Sequence, residues 1–166
     1  MPRPSVPPRP GPGQESVWDY PRPPAVEPST SHVVVEFGGR VIADTRRAIR
    51  VLETSHPPSF YLPRADVDVA TIEVVAHRTY CEFKGRAAYG DLVVGDRRSP
   101  LACWWYPEPT AGFAVLDDHL TFYPSRVDRA LVDGEPVESS EGDFYGGWIT
   151  SRVVGPFKGA PGTEFW

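Results

Sequence analysis

The sequence predicts a mainly β domain: small antiparallel sheets with one or two short helices. Three observations carry this expectation. Short β-branched runs recur, among them HVVVEF (32–37), RVIAD (40–44) and VDVATIEVVA (67–76). Gly, Pro or Asp-Gly punctuates them at close intervals. No long stretch repeats apolar residues at helical spacing.

Taken in order, half of the 20 prolines lie in residues 1–28. MPRPSVPPRPGPG offers almost nothing apolar to bury, so residues 1–14 are expected as a disordered or polyproline-II tail. Residues 15–166 are expected as one domain. ESVWDYPRPP (15–24) opens it as an extended arm anchored by Trp18 and Tyr20. HVVVEF and RVIAD form a hairpin across Gly38-Gly39, two residues able to take positive φ. TRRAIRVLE (45–53) fits one or two helical turns or a further strand. HPP (56–58) stops regular structure, because each proline removes a donor and pushes its predecessor out of the helical region. VDVATIEVVA is strand-like with room for a short helix. RTYCEFKGRAAYGDLVV (78–94) is expected as strand, glycine turn, strand. LACWWYP (101–107) and HLTFYP (119–124) follow as strands, RALVDGEPV (129–137) as an Asp-Gly hairpin, and GGWITSRVV (146–154) as a last strand. Phe83-Lys84-Gly85 recurs as Phe157-Lys158-Gly159, an echo too short and uneven for a repeat.

Composition narrows the function classes. The net charge is −5, with no basic block. Phosphate backbones and anionic membranes both require clustered Lys and Arg, so no nucleic acid and no membrane partner is expected. No apolar run is long enough to span a bilayer, and a cytoplasmic location is the default expectation. Two cysteines are too few for a disulfide scaffold. Oligomeric state is not encoded in any pattern.

Candidate chemistry is sparse. Cys81 and Cys103 lack paired spacing, so no metal is expected, and Cys81 is expected buried and unreactive. Asp66-Val67-Asp68 has the spacing of a carboxylate pair that could hold Mg²⁺, and equally that of two solvated acids. Lys84 stands in no phosphate-binding glycine loop; it is a turn lysine or a clamp beside Phe83 and Tyr89. Glu53, Ser55 and His56 adjoin in sequence, whereas triad members normally come from separate elements. Arg50 and Glu53 are expected as an internal ion pair. Trp104-Trp105-Tyr106 is the densest aromatic run; alternation along a strand sends its residues to opposite sides, which suits an aromatic core with clamped termini, or a groove on one side for a flat ring or a cation.

VEFGGRVIADT, RVLETSHPPSFYLP, TYCEFKGRAAY, WWYP, VDGE and YGGWIT…VGPFKGAPGT together closely resemble the domain of unknown function 427 family over roughly residues 15–166. The resemblance implies a β-tent-like fold, two small antiparallel sheets leaning together, and carries a nucleotidyltransferase-like label. Relatives of that fold bear paired Cys-x-x-Cys zinc knuckles, absent here, so the resemblance implies no cofactor. Its motif implies the candidate ligand-binding residues Arg50, Glu53, His56, Tyr61, Cys81, Lys84, Tyr89, Trp105 and Tyr106, converging on one concave site with Lys84 or Arg50 facing an anionic group. The expected function is small-molecule binding in an aromatic-lined pocket. A nucleotidyltransferase-like or other phosphate-handling enzyme, and an interaction module using the proline-rich tail, are the alternatives. Catalytic residues stay unassigned.

Overall fold

A computed structural model of the 166-residue chain describes residues 8–142 and 145–166. Residues 1–7 of the expected tail lie outside the described residues. Fifteen strands follow in chain order: β1 (Glu15–Ser16), β2 (Ala25–Pro28), β3 (Val33–Phe37), β4 (Arg40–Thr45), β5 (Ile49–Leu52), β6 (Ser59–Pro63), β7 (Ile72–Cys81), β8 (Gly85–Val94), β9 (Arg97–Trp105), β10 (His119–Phe122), β11 (Arg129–Val132), β12 (Glu135–Pro136), β13 (Glu138–Ser139), β14 (Trp148–Ile149) and β15 (Val153–Val154). Among the described residues, helix is confined to 3-10 turns, the longest at Ala111–Leu116. The chain is therefore mainly β, as its sequence predicts. No helix among the described residues is long and apolar enough to cross a membrane.

Seven strands form one antiparallel sheet in the order β2-β5-β6-β10-β9-β8-β7, and four form a second in the order β12-β11-β3-β4. The hairpin at Gly38-Gly39 takes φ of 63° and 74°, the doubly left-handed turn that matches strand twist. Val33, Val35, Phe37 and Ile42 of the smaller sheet share a core with Phe60, Leu62, Leu92, Trp105, Leu120 and Phe122 of the larger. The other face of the larger sheet carries a separate cluster that includes Tyr61, Tyr89, Trp104, Tyr106 and Tyr123. Both faces are buried, so its central strands lack a polar side. Consecutive residues simply choose between two apolar layers: Phe60 inward, Tyr61 outward, Leu62 inward.

The ambiguous segments resolve by pairing. Residues 49–52 become a strand because β2 and β6 flank them on both edges, with Val51 opposite Val26 and Ser59. Residues 67–76 are part turn, Val69–Thr71, and part strand, beginning at Ile72. The expected last strand is two short strands. A turn at Thr150–Arg152 divides them, held by Glu135, which accepts from both the backbone N–H and the hydroxyl of Ser151 at 2.6 Å.

The arm packs against Leu52 of the larger sheet and Val153 and Phe157 near the end of the chain. Trp18 packs edge-on against Trp166 and donates its indole N–H to the Pro156 carbonyl at 2.9 Å. Gln14 donates to the Ser151 carbonyl. The expected Arg50–Glu53 pair does not form. Alternation along β5 directs Arg50 toward the arm, where it binds Glu15 at 3.1 Å and Glu27 at 2.7 Å. Glu53 instead pairs with Arg22 at 3.4 Å.

Candidate functional site

The outward cluster of the larger sheet is open at one end. There it forms a cleft of about 310 Å³. Its floor comes from strand positions of one parity. Tyr61 of β6, Tyr89 of β8 and Trp104 of β9 all point outward, and Tyr106, just beyond β9, continues that parity. Trp104 donates its indole N–H to the Tyr61 hydroxyl at 3.3 Å and lies 4.5 Å from the Tyr123 ring. Burial pushes the phenols of Tyr61 and Tyr106 well above their usual range, so both remain protonated donors.

One wall is the turn between β7 and β8. Phe83 and Lys84 sit there, pinned because Thr110 donates its hydroxyl to the Phe83 carbonyl and its backbone N–H to that of Lys84. Lys84 is only 9 % exposed, and its ammonium lies 5.9 Å from the ring centres of both Tyr106 and Phe113. The other wall is the HPP corner with two late loops. His56 meets the Tyr145 ring edge-on at 4.7 Å, and Lys158 holds its ammonium 5.1 Å from the same ring.

His56 has a defined tautomer. Its Nδ1 lies 2.9 Å from the Thr54 carbonyl, an acceptor only, so Nδ1 carries the proton and Nε2 a lone pair. Burial pulls the imidazole below its ordinary value. Glu53, 3.6 Å from Nδ1, and the Thr54 carbonyl oppose this, while Lys158 and Arg22 reinforce it. The sign follows directly. The unfolded chain takes up a proton near pH 6.5 and the folded chain does so only at lower pH, so stability falls as pH drops through that window. The melting temperature is expected to fall between pH 7 and pH 5, with a smaller fall in His56→Gln. Equal slopes for the two proteins would remove His56 as the source.

Cys81 corrects an expectation. It is half-buried on the cleft, because β7 is the edge strand. Cys103 is the buried thiol. It is fully enclosed, and burial pushes it up to about 12. A thiol reagent is therefore expected to label the native protein at Cys81 at least tenfold faster than at Cys103, roughly the gap that access and thiolate fraction together create. Peptide mapping after a brief pulse checks this.

Seven of the nine motif candidates meet at the cleft: Glu53, His56, Tyr61, Cys81, Lys84, Tyr89 and Tyr106. Arg50 and Trp105 do not. Arg50 is bound up with the arm. Trp105 has the inward parity of β9 and packs in the core, with the Arg64 guanidinium 5.3 Å over its ring. Asp66 and Asp68 also lie elsewhere: Asp66 is held by Arg47 and the Thr45 hydroxyl, Asp68 by Arg40. Among the described residues, no group of three or more His, Cys, Asp or Glu is placed to hold a metal ion. Trp104, Tyr145 and Lys158 line the cleft without having been among those candidates.

A family model described as a domain of unknown function, DUF427, matches residues 25–133. The chain belongs to that family. The DUF427 match spans the floor of the cleft and the Lys84 wall, and Tyr145 and Lys158 follow it in the chain. No curated protein matches this DUF427 chain.

Proposed function

We propose that this DUF427 domain binds a small planar molecule in the cleft on the outer face of its larger sheet. The observation that carries the reading is the wall composition. Trp104, Tyr106, Tyr89 and Tyr123 line the cleft, beside polar groups that include the His56 ring, the tyrosine hydroxyls, Glu53 and the Lys84 and Lys158 ammoniums. A volume of about 310 Å³ matches a compact metabolite. The phosphate-handling alternative has less support, because Asp66 and Asp68 are neutralised by arginines away from the cleft.

A thermal-shift screen tests the reading. A ligand at a hundredfold excess over its dissociation constant adds about 2.7 kcal/mol, which raises the melting point of a domain this size by roughly 5–10 °C. The shift is expected with flat aromatic metabolites and is expected to disappear in Trp104→Ala. A Mg²⁺-dependent shift with nucleoside triphosphates, lost in Asp66→Asn, would replace this reading with the transferase one.

A further inference from the structure

Lys84 is a buried cation without a counter-charge. Among the described residues no carboxylate pairs with its ammonium, which has only the ring faces of Tyr106 and Phe113 nearby. Withdrawing an ammonium from water is costly unless an opposite charge compensates it. Ring faces almost 6 Å away recover only part of that cost. Lys158, on the same cleft, holds its ammonium 5.1 Å from the Tyr145 ring and donates to a main-chain oxygen of Trp166 at 3.5 Å. The acids of the cleft do not balance these charges. Glu53 is committed to Arg22 and His56, and Glu82 is exposed.

We propose that the cleft takes an anion: a planar ring bearing a carboxylate or phosphate, with the negative group on the Lys84 ammonium and the ring against the tyrosine and tryptophan wall. This rests on the binding reading above and names its ligand class. It also separates this cleft from the aromatic cages that capture cations. Such cages leave their ring faces open to the ligand's positive charge. Here Lys84 already lies by the Tyr106 ring of the cleft, so a cationic ligand meets a like charge in a poorly solvated space. The second ammonium, Lys158, adds to that repulsion.

Calorimetric titration of the full chain with four probes sharing one ring tests the proposal: phenylacetate, phenyl phosphate, phenylacetamide and phenethylamine. At least one anion is expected to bind about tenfold or more tighter than the neutral amide, the factor a charge-assisted hydrogen bond supplies. The amine is expected to bind weakest. Which anion leads distinguishes a carboxylate from a phosphate. Lys84→Met, which keeps the stem and removes the charge, is expected to erase the anion preference. Without ligand, Lys84→Met is expected to melt no lower than the parent, since it removes an uncompensated charge. Amide binding as tight as both anions, or a preference for the amine, would overturn the anion and leave the ring-binding cleft standing. Silence from all four probes at millimolar concentration would overturn both. A lower melting point for unliganded Lys84→Met would show that the lysine serves the fold, and would equally end the proposal.

Discussion

Trp148→Ala is expected to cost about 3–5 kcal/mol, the range for deleting a large aromatic from a packed core. Trp148 is fully buried, tilted against Phe60 with ring centres 5.3 Å apart, and it donates its indole N–H to the Phe122 carbonyl at 3.0 Å. Truncation leaves a cavity under both sheets and strips that buried carbonyl of a partner. For a domain of this length the melting temperature should drop by roughly 6–20 °C. Trp148→Phe refills most of the cavity without restoring the hydrogen bond, so it should fall between parent and Ala. If the Phe variant melts as low as the Ala variant, the hydrogen bond outweighs the packing.

Gly146→Ala is expected to rank next, at about 2–4 kcal/mol, combining left-handed backbone strain with overpacking. Gly146 has φ of 61°, and a β-carbon there would stand 2.4 Å from Cη2 of Trp104 and 3.1 Å from Cδ1 of Tyr123. Neither ring can yield easily. Trp104 is held by the Tyr61 hydroxyl and packed on Tyr123. The cleft therefore pays twice: the domain loses stability, and the surviving folded fraction has a displaced tryptophan wall. Chemical denaturation gives the first effect, and titration with the best ligand of the parent gives the second. A variant that is destabilised yet binds normally would show that Trp104 does not shape the site.

Much of this architecture is legible in short sequence signals, and the losses have definite causes. Gly38-Gly39 between two β-branched runs marks a hairpin because few other residue pairs tolerate its backbone. The WWYP run announces two faces, but parity alone does not tell which face is the core. That choice is made by the smaller sheet, whose valines cover Trp105 and leave Trp104 and Tyr106 to the cleft. Arg50 was misplaced for a similar reason. Its carboxylate partners, Glu15 and Glu27, lie 35 and 23 residues away, beyond any local pattern. Cys81 is expected in the core because it lies in a strand, yet edge position decides exposure, and strand order is invisible in a single sequence. The echo between Phe83-Lys84-Gly85 and Phe157-Lys158-Gly159 is a pointer to Lys158. It is no repeat, yet the two lysines line the same cleft.

The parallel pairing of β1 with β15 has a temporal consequence. Glu15 faces Val153 and Ser16 faces Val154, and Trp18 reaches a carbonyl 138 residues further on. At about 5–20 residues per second, a ribosome needs roughly 7–30 s to cover that interval. Throughout it the arm has no edge to join, and the wall carrying Lys158 does not yet exist. The nascent protein must therefore hold a half-built, aromatic-faced sheet exposed to its neighbours, and docking of the arm is a closing event in maturation. Arg50, Leu52 and Ser55 can hold the arm from early on, whereas its strand partner and its tryptophan contacts arrive last, so in the finished molecule the β1–β15 contact should be the first to open.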